Sequence, residues 1–256
     1  MDLRLDPSAA SGYRSHSRIA GVMTERWFEK SMFCPACESD HLKATDTNTQ
    51  VIDFFCPRCD EKFQLKGLAH PLGNRIVDSA YEPKIKAIRN GTIPNFAFLH
   101  YDKENFVVRD LVLLPRYFMR PEIIEKRKPL KQEAKRHGWI GSSIIMDRLP
   151  FRAKIFVVYK GIVLQKEEVR DRWSKTFFLR DLPLASKGWL SDVMSCIEEL
   201  GREEFTLSEL YRYKERLAAL HPRNRNIEAK IRQQLQLLRD RGLVEFLGKG
   251  RYRYIQ

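Results

Sequence analysis

Four cysteines, Cys34, Cys37, Cys56 and Cys59, place the strongest constraint on how this chain folds. They read C-x2-C-x18-C-x2-C. A two-residue gap lets each pair sit on one tight hairpin, and two such hairpins can present four thiolates to one tetrahedral Zn2+. Four thiolates leave no open coordination position, so the zinc expected here is structural. Residues 1–10 lack the apolar run of a secretory leader, and no stretch approaches the length of a membrane span. Clustered cysteines in such a chain favour metal thiolates over disulfides and place the protein in the cytoplasm. The fifth, Cys196, lies beside the apolar stripe of an expected helix and reads as a small buried hydrophobe.

A second pattern shares this stretch of chain. Asp53 stands three residues before Cys56; ten residues separate it from Gln64, and Lys66 follows after Leu65. Residues 62–66 alternate with period two, which puts Lys62, Gln64 and Lys66 on one face and Phe63 and Leu65 on the other. Gln64 and Lys66 thus project together. An acid, a second oxygen ligand and a lysine at this spacing resemble the PD-(D/E)xK nuclease site. Taken singly, Asp53 reads as a turn residue and Lys66 as a surface lysine; the combination favours function.

The charge agrees with a polyanionic partner. The 256 residues carry 46 Lys/Arg against 33 Asp/Glu, a net charge of +13. Residues 184–256 hold 14 of the basic and 10 of the acidic residues, so both parts of the chain are basic.

The element pattern divides the chain near residue 183, into segments 1–183 and 184–256. Ile19, Val22, Met23 and Trp27 have helical spacing. Residues 51–55, 62–66, 95–101, 106–114 and two runs within 154–164 read as strands. Residues 116–136, with eight Arg/Lys, Pro121 and Pro129, read as a partly helical, mobile basic segment. After Ser186 the period becomes helical: Trp189, Val193, Ile197 and Leu200 form one stripe. Thr206 to Glu209 is a capping box that opens a second helix through Leu220. Ile227, Ile231, Leu235 and Leu238 form the stripe of a third. Two short strands then flank Gly248, Lys249 and Gly250. Three helices and a basic hairpin are the layout of a winged helix. The polar face of the third helix carries Lys230, Arg232, Gln233 and Gln236, residue types that read adenine, guanine or phosphate in a major groove. Lys249 and Arg251 belong to the wing. The fold expected is mixed α/β (α+β): a PD-(D/E)xK restriction-endonuclease-like core with an inserted four-cysteine zinc module, then a winged helix.

The whole chain resembles the DpnI family of methyl-directed restriction endonucleases. The resemblance rests on Cys34-Pro35-Ala36-Cys37, on Asp53-Phe54 before the second cysteine pair, and on residues 63–66. It continues through Pro94-Asn95-Phe96, Gly138-Trp139-Ile140-Gly141, residues 230–236 and the closing hairpin at residues 248–252. It implies Mg2+-dependent type II cleavage of double-stranded DNA at adenine-methylated Gm6ATC sites, with both segments reading the methylated DNA. A monomer is the expected state.

One departure stands out. Gln64 occupies the position of the usual catalytic carboxylate, so one ligand charge is lost, and Mg2+ prefers charged oxygen. Asp53, Gln64 and the Leu65 backbone carbonyl are the expected Mg2+ ligands, and Lys66 is the group that stabilises phosphate charge. Glu61 and Glu25 are the acids available to compensate; Glu61 falls on the face away from Gln64. For the methyl group the candidate reader is Trp139, in a basic loop with Arg136, although a packing anchor is the competing reading. His70, His100 and His221 carry no motif and read as ordinary histidines. Two alternatives remain: a methylated-DNA-binding protein whose nuclease site is impaired by Gln64, and a zinc-ribbon, winged-helix adaptor.

Overall fold

The computed structural model describes residues 1–45 and 52–255. The chain forms two compact units: Met1–Ile76 with Lys86–Met119 and Arg152–Phe177, and Val77–Ile85 with Arg120–Phe151 and Phe178–Gln256. In chain order the elements are α1 (His16–Ser31), β1 (Lys43–Ala44), β2 (Phe54–Phe55), β3 (Lys62–Leu68), β4 (Arg75–Ala80), α2 (Tyr81–Arg89), β5 (Asn95–Asp102), β6 (Val107–Leu114), β7 (Ile124–Lys126), β8 (Gly141–Ile145), β9 (Ile155–Tyr159), β10 (Ile162–Val163) and α3 (Lys166–Ser174). The C-terminal part adds α4 (Leu184–Glu199), β11 (Glu204–Thr206), α5 (Leu207–Tyr211), α6 (Lys214–Leu220), α7 (Ile227–Asp240), β12 (Val244–Gly248) and β13 (Arg251–Tyr254).

The first unit is built on a seven-stranded sheet, β1-β2-β3-β5-β6-β9-β10. β3 and β5 run parallel, Gln64 opposite Phe96 and Lys66 opposite Phe98, while the other pairs are antiparallel. Phe63 and Leu65 join Trp27 and Phe28 of α1 and Trp173 of α3 in one buried cluster. The Phe28 and Phe54 rings lie 4.8 Å apart, and Phe63 and Trp173 lie 6.0 Å apart. Gly67 lets α1 approach β3 closely: a Cβ there would lie 3.1 Å from Thr24 Oγ1. Thr24 spends that hydroxyl on the carbonyls of Ala20 and Gly21, so no polar group is stranded by the approach.

Two expectations need correction here. Of the strand expected over residues 51–55, only Phe54–Phe55 is ladder; Val51 lies outside the described residues, and Asp53 precedes the ladder with its N–H on the Phe63 carbonyl at 2.9 Å. Residues 116–136 begin with two single 3-10 turns, Arg116–Phe118 and Pro121–Ile123, and then β7. Tyr117, Phe118, Ile123 and Ile124 are buried, so apolar side chains anchor the first half of this basic stretch. β4, β8, α2 and α3 have no counterpart in the sequence-based reading.

The second unit holds two three-stranded sheets, β4-β8-β7 and β11-β13-β12. Ser142 of β8 donates to the Ser79 carbonyl at 2.8 Å, and a buried ion pair joins Asp78 to Lys84. In the C-terminal part the capping box is present, with Thr206 and Glu209 satisfying each other's backbone N–H groups. The expected second helix is two short ones, α5 and α6. Between them Arg212 and Tyr213 donate to carbonyls three residues back, which tightens the turn and breaks the α-helical ladder. Among the described residues no helix is long and apolar enough to cross a membrane.

Candidate functional site

The four cysteines converge. Their sulfur atoms all lie within 4.8 Å of one another, with Cys34–Cys59 and Cys37–Cys56 at 3.6 Å. Tetrahedral zinc with Zn–S bonds near 2.3 Å requires sulfur–sulfur edges of about 3.8 Å. The cluster is thus compatible with structural zinc. Each knuckle is held by its own backbone: Cys34 N–H donates to Ser39 and Cys56 N–H to Glu61, both at 2.9 Å. Burial raises the Cys34 and Cys59 thiols; it also opposes ionisation of Cys56, but the backbone N–H groups of Cys59 and Arg58, together with hydrogen bonds from the Cys37 and Cys59 thiols, bring that one down to about 7. From α3, which the sequence did not reveal, Arg170 donates to the Cys34 and Ser39 carbonyls at 3.2 Å and lies over the Phe33 ring. The first knuckle is therefore fastened to the sheet domain's last helix.

The second pattern also assembles in the first unit. Asp53 Oδ2 accepts the Leu65 N–H at 2.7 Å, which holds its carboxylate against β3 between Gln64 and Lys66. Gln64 is only 8% exposed, and its buried Oε1 has no hydrogen-bond partner. A buried carbonyl oxygen without a donor is costly unless it serves a ligand. Lys66 is half-buried two residues on, on the same face. The donor set, one carboxylate and one unclaimed amide oxygen, fits a hard divalent cation.

The two compensating acids separate cleanly. Glu61 is 7% exposed and fully engaged: it accepts from Asn95 at 2.8 Å, from Tyr117 at 3.3 Å and from Arg116 at 3.4 Å. It is a structural tie between β3, β5 and the turn after β6. Glu25 of α1 is open to solvent, yet burial by neighbouring groups and then the charge of Asp53 raise its carboxyl above the usual range. Glu25 therefore feels the Asp53 charge.

The nucleic-acid candidates lie in the second unit. On α7, Ile227, Ile231, Leu235 and Leu238 are buried while Arg232, Gln233 and Gln236 are exposed. Asn226 caps the helix by accepting from Ala229 N–H at 3.2 Å. Lys230 Nζ donates to Gln233 Oε1 at 2.7 Å, and Arg232 donates to the Tyr211 hydroxyl at 2.5 Å. Lys249 is exposed at the hairpin tip with φ of 49° between two positive-φ glycines. Arg251 pairs with Glu204 at 2.9 Å on an exposed strand, a contact easily exchanged for phosphate. Arg136 is exposed. Trp139 is half-buried and lies flat on Gly141, where a Cβ would come within 2.7 Å of the indole.

Two family models match consecutive stretches of the chain. The model of DpnI, the Dam-replacing family, matches residues 1–182, and that of the Dam-replacing HTH domain matches residues 185–254. The chain belongs to the DpnI (Dam-replacing) family. This membership accounts for a mixed α/β sheet domain with a four-cysteine cluster followed by a helix-turn-helix domain. It supports a methylation-dependent, restriction-type DNA-binding protein.

His221 is a packed histidine: its Nε2 meets Asp192 at 2.8 Å, and its ring stacks on Trp189 with centroids 3.8 Å apart. Helical spacing puts Trp189 and Asp192 on one side of α4, and the packing of α4 against the end of α6 brings His221 to them.

Proposed function

We propose that this DpnI-family chain is a type II restriction endonuclease that hydrolyses double-stranded DNA at adenine-methylated Gm6ATC sites. In this reading residues 1–183 carry catalysis and residues 184–256 the winged helix, and the protein acts in the cytoplasm as a monomer. The observation that carries it is the unclaimed Gln64 Oε1 on the face shared with Lys66, next to the Asp53 carboxylate. Asp53, Gln64 and the Leu65 carbonyl are the residues that would hold Mg2+, with Glu25 supplying the negative charge that Gln64 lacks. A Mg2+ held there would supply polarisation of the scissile phosphate and acidification of a water. Lys66 offsets charge that builds on the phosphate oxygens as water adds and the bridging P–O bond breaks. The Leu65 N–H keeps Asp53 oriented throughout. Arg232, Gln233, Gln236 and Lys230 would read the major groove, Lys249 and Arg251 would hold the backbone, and Trp139 with Arg136 would meet the methylated bases.

Gln64 itself favours a second reading, a methylated-DNA binder with a disabled nuclease site. One plasmid, prepared with and without adenine methylation, separates the two. Under the nuclease reading the wild-type chain cuts only the methylated plasmid with Mg2+ or Mn2+, and Asp53→Ala or Lys66→Ala stops cleavage while binding persists. If the wild type binds methylated DNA and never cuts with either metal, the binder reading holds. Normal cleavage by Asp53→Ala would overturn the site assignment.

A further inference from the structure

Gly141 opens β8 without a positive φ, so its backbone conformation does not call for glycine. What excludes a side chain there is Trp139. A Cβ on Gly141 would lie 2.7 Å from Cζ3 and 2.8 Å from Cη2 of the indole, and 3.6 Å from Cδ of Arg127. Cζ3 and Cη2 form the rim of the indole farthest from its own backbone. The ring is therefore tethered at one end by its Cβ and rests at the other on bare Gly141. Laid in this way it turns one face to the strand and one outward, and Trp139 is half-buried. The stem of Arg127 borders the same spot, and Arg127 N–H donates to the Gly141 carbonyl at 3.0 Å.

The backbone under the ring is tied on both sides. The Ile140 carbonyl accepts the Tyr81 N–H at 3.1 Å, and the Ser142 hydroxyl donates to the Ser79 carbonyl at 2.8 Å. The main chain of Trp139 is fixed as well, with Leu130 N–H on its carbonyl and its own N–H on the Arg136 carbonyl, both at 3.0 Å. All these residues belong to the second unit. A methyl group added at Gly141 thus displaces the part that can still move, the free end of the indole. The ring then tilts off the strand and shows its edge.

Apolar contact is non-directional and grows with the area taken from water. The flat face of an indole covers a methyl group more fully than its edge does.

We propose that Gly141 is a positioning residue that sets methyl specificity: its missing Cβ keeps the Trp139 indole flat, with the outer face turned to methylated adenine, and the Arg127 stem closes the side of this seat. The proposal rests on the assignment of Trp139 to the methylated bases and names the residue on which that contact depends.

The test reads the indole itself. Trp27, Trp173 and Trp189 are 5%, 0% and 5% exposed, so Trp139 is the tryptophan that a neutral quencher reaches. The difference between the wild type and Trp139→Phe isolates its emission. In the full chain Gly141→Ala keeps the wild-type circular dichroism and raises acrylamide quenching of that emission. Doubly methylated and unmethylated GATC duplexes are then titrated in EDTA, and the midpoints are followed through Trp139, which reports on this hairpin rather than on α7. The methylated duplex is preferred roughly tenfold by the wild type, the scale of burying two methyl groups, and less than about threefold by Gly141→Ala. Arg127→Ala removes the side of the seat, lowers the preference in the same direction, and serves where Gly141→Ala does not fold. An unchanged preference in the folded Gly141→Ala protein, or in Arg127→Ala where that protein does not fold, overturns the seat while leaving the Trp139 reading intact. Equal wild-type midpoints for the two duplexes overturn both.

Discussion

Gln64 offers the sharpest test, because its stability and its function should move in opposite directions. Its Oε1 is buried without a hydrogen-bond partner, and a stranded acceptor costs about 1–3 kcal/mol. Methionine has the same reach and no polar end. Gln64→Met should therefore stabilise the apo protein by about 1 kcal/mol. For a protein of this size that is a melting-point rise of roughly 2–4 °C. The same change removes a ligand oxygen, so Mg2+ should protect Gln64→Met less than it protects the wild type. Gln64→Glu should do the reverse. A carboxylate set near Asp53 and Glu25 lowers the melting point in EDTA through like-charge repulsion, and Mg2+ more than restores it. Differential scanning calorimetry across a Mg2+ titration, alongside nicking rates on methylated plasmid, reads both effects. If Mg2+ raises the melting points of wild type and Gln64→Met equally, Gln64 is not a ligand. If Gln64→Met melts below wild type in EDTA, the stranded-acceptor argument is wrong.

Two further outcomes follow from the knuckles and the buried triad. Cys56→Ser should release zinc and disorder β2 and β3, seen as loss of stoichiometric metal by atomic emission and loss of cleavage; a zinc-free, fully active Cys56→Ser protein would refute the structural role. At Asp192 burial alone would raise the carboxyl, but hydrogen bonds from His221 and Arg120 outweigh it and leave the group below its ordinary value. Such a carboxylate stabilises the fold fully above its unfolded pKa of about 3.9, and that stability is lost as pH falls through the folded value. Asp192→Asn should therefore cost more stability at pH 7 than at pH 3 in urea titrations, and an equal cost at both values would show that the charge is not what matters.

Local chemistry made much of this protein legible in its sequence. The four cysteines carry their own geometry, because a two-residue gap allows only a tight knuckle, and their sulfurs do come within 4.8 Å. Period-two alternation placed Gln64 and Lys66 on one face of β3, and a capping box and two apolar stripes marked the C-terminal helices. These are short-range rules, which hold wherever neighbouring residues decide the conformation. The tertiary structure decided what depends on contacts distant in sequence. Which spare acid feels the Asp53 charge depends on the packing of α1 against β3, while Glu61 is spent on Asn95, Tyr117 and Arg116. The tie between Arg120, Asp192 and His221 spans about a hundred residues and follows no periodicity, since a buried charge is satisfied by whichever partner packing delivers.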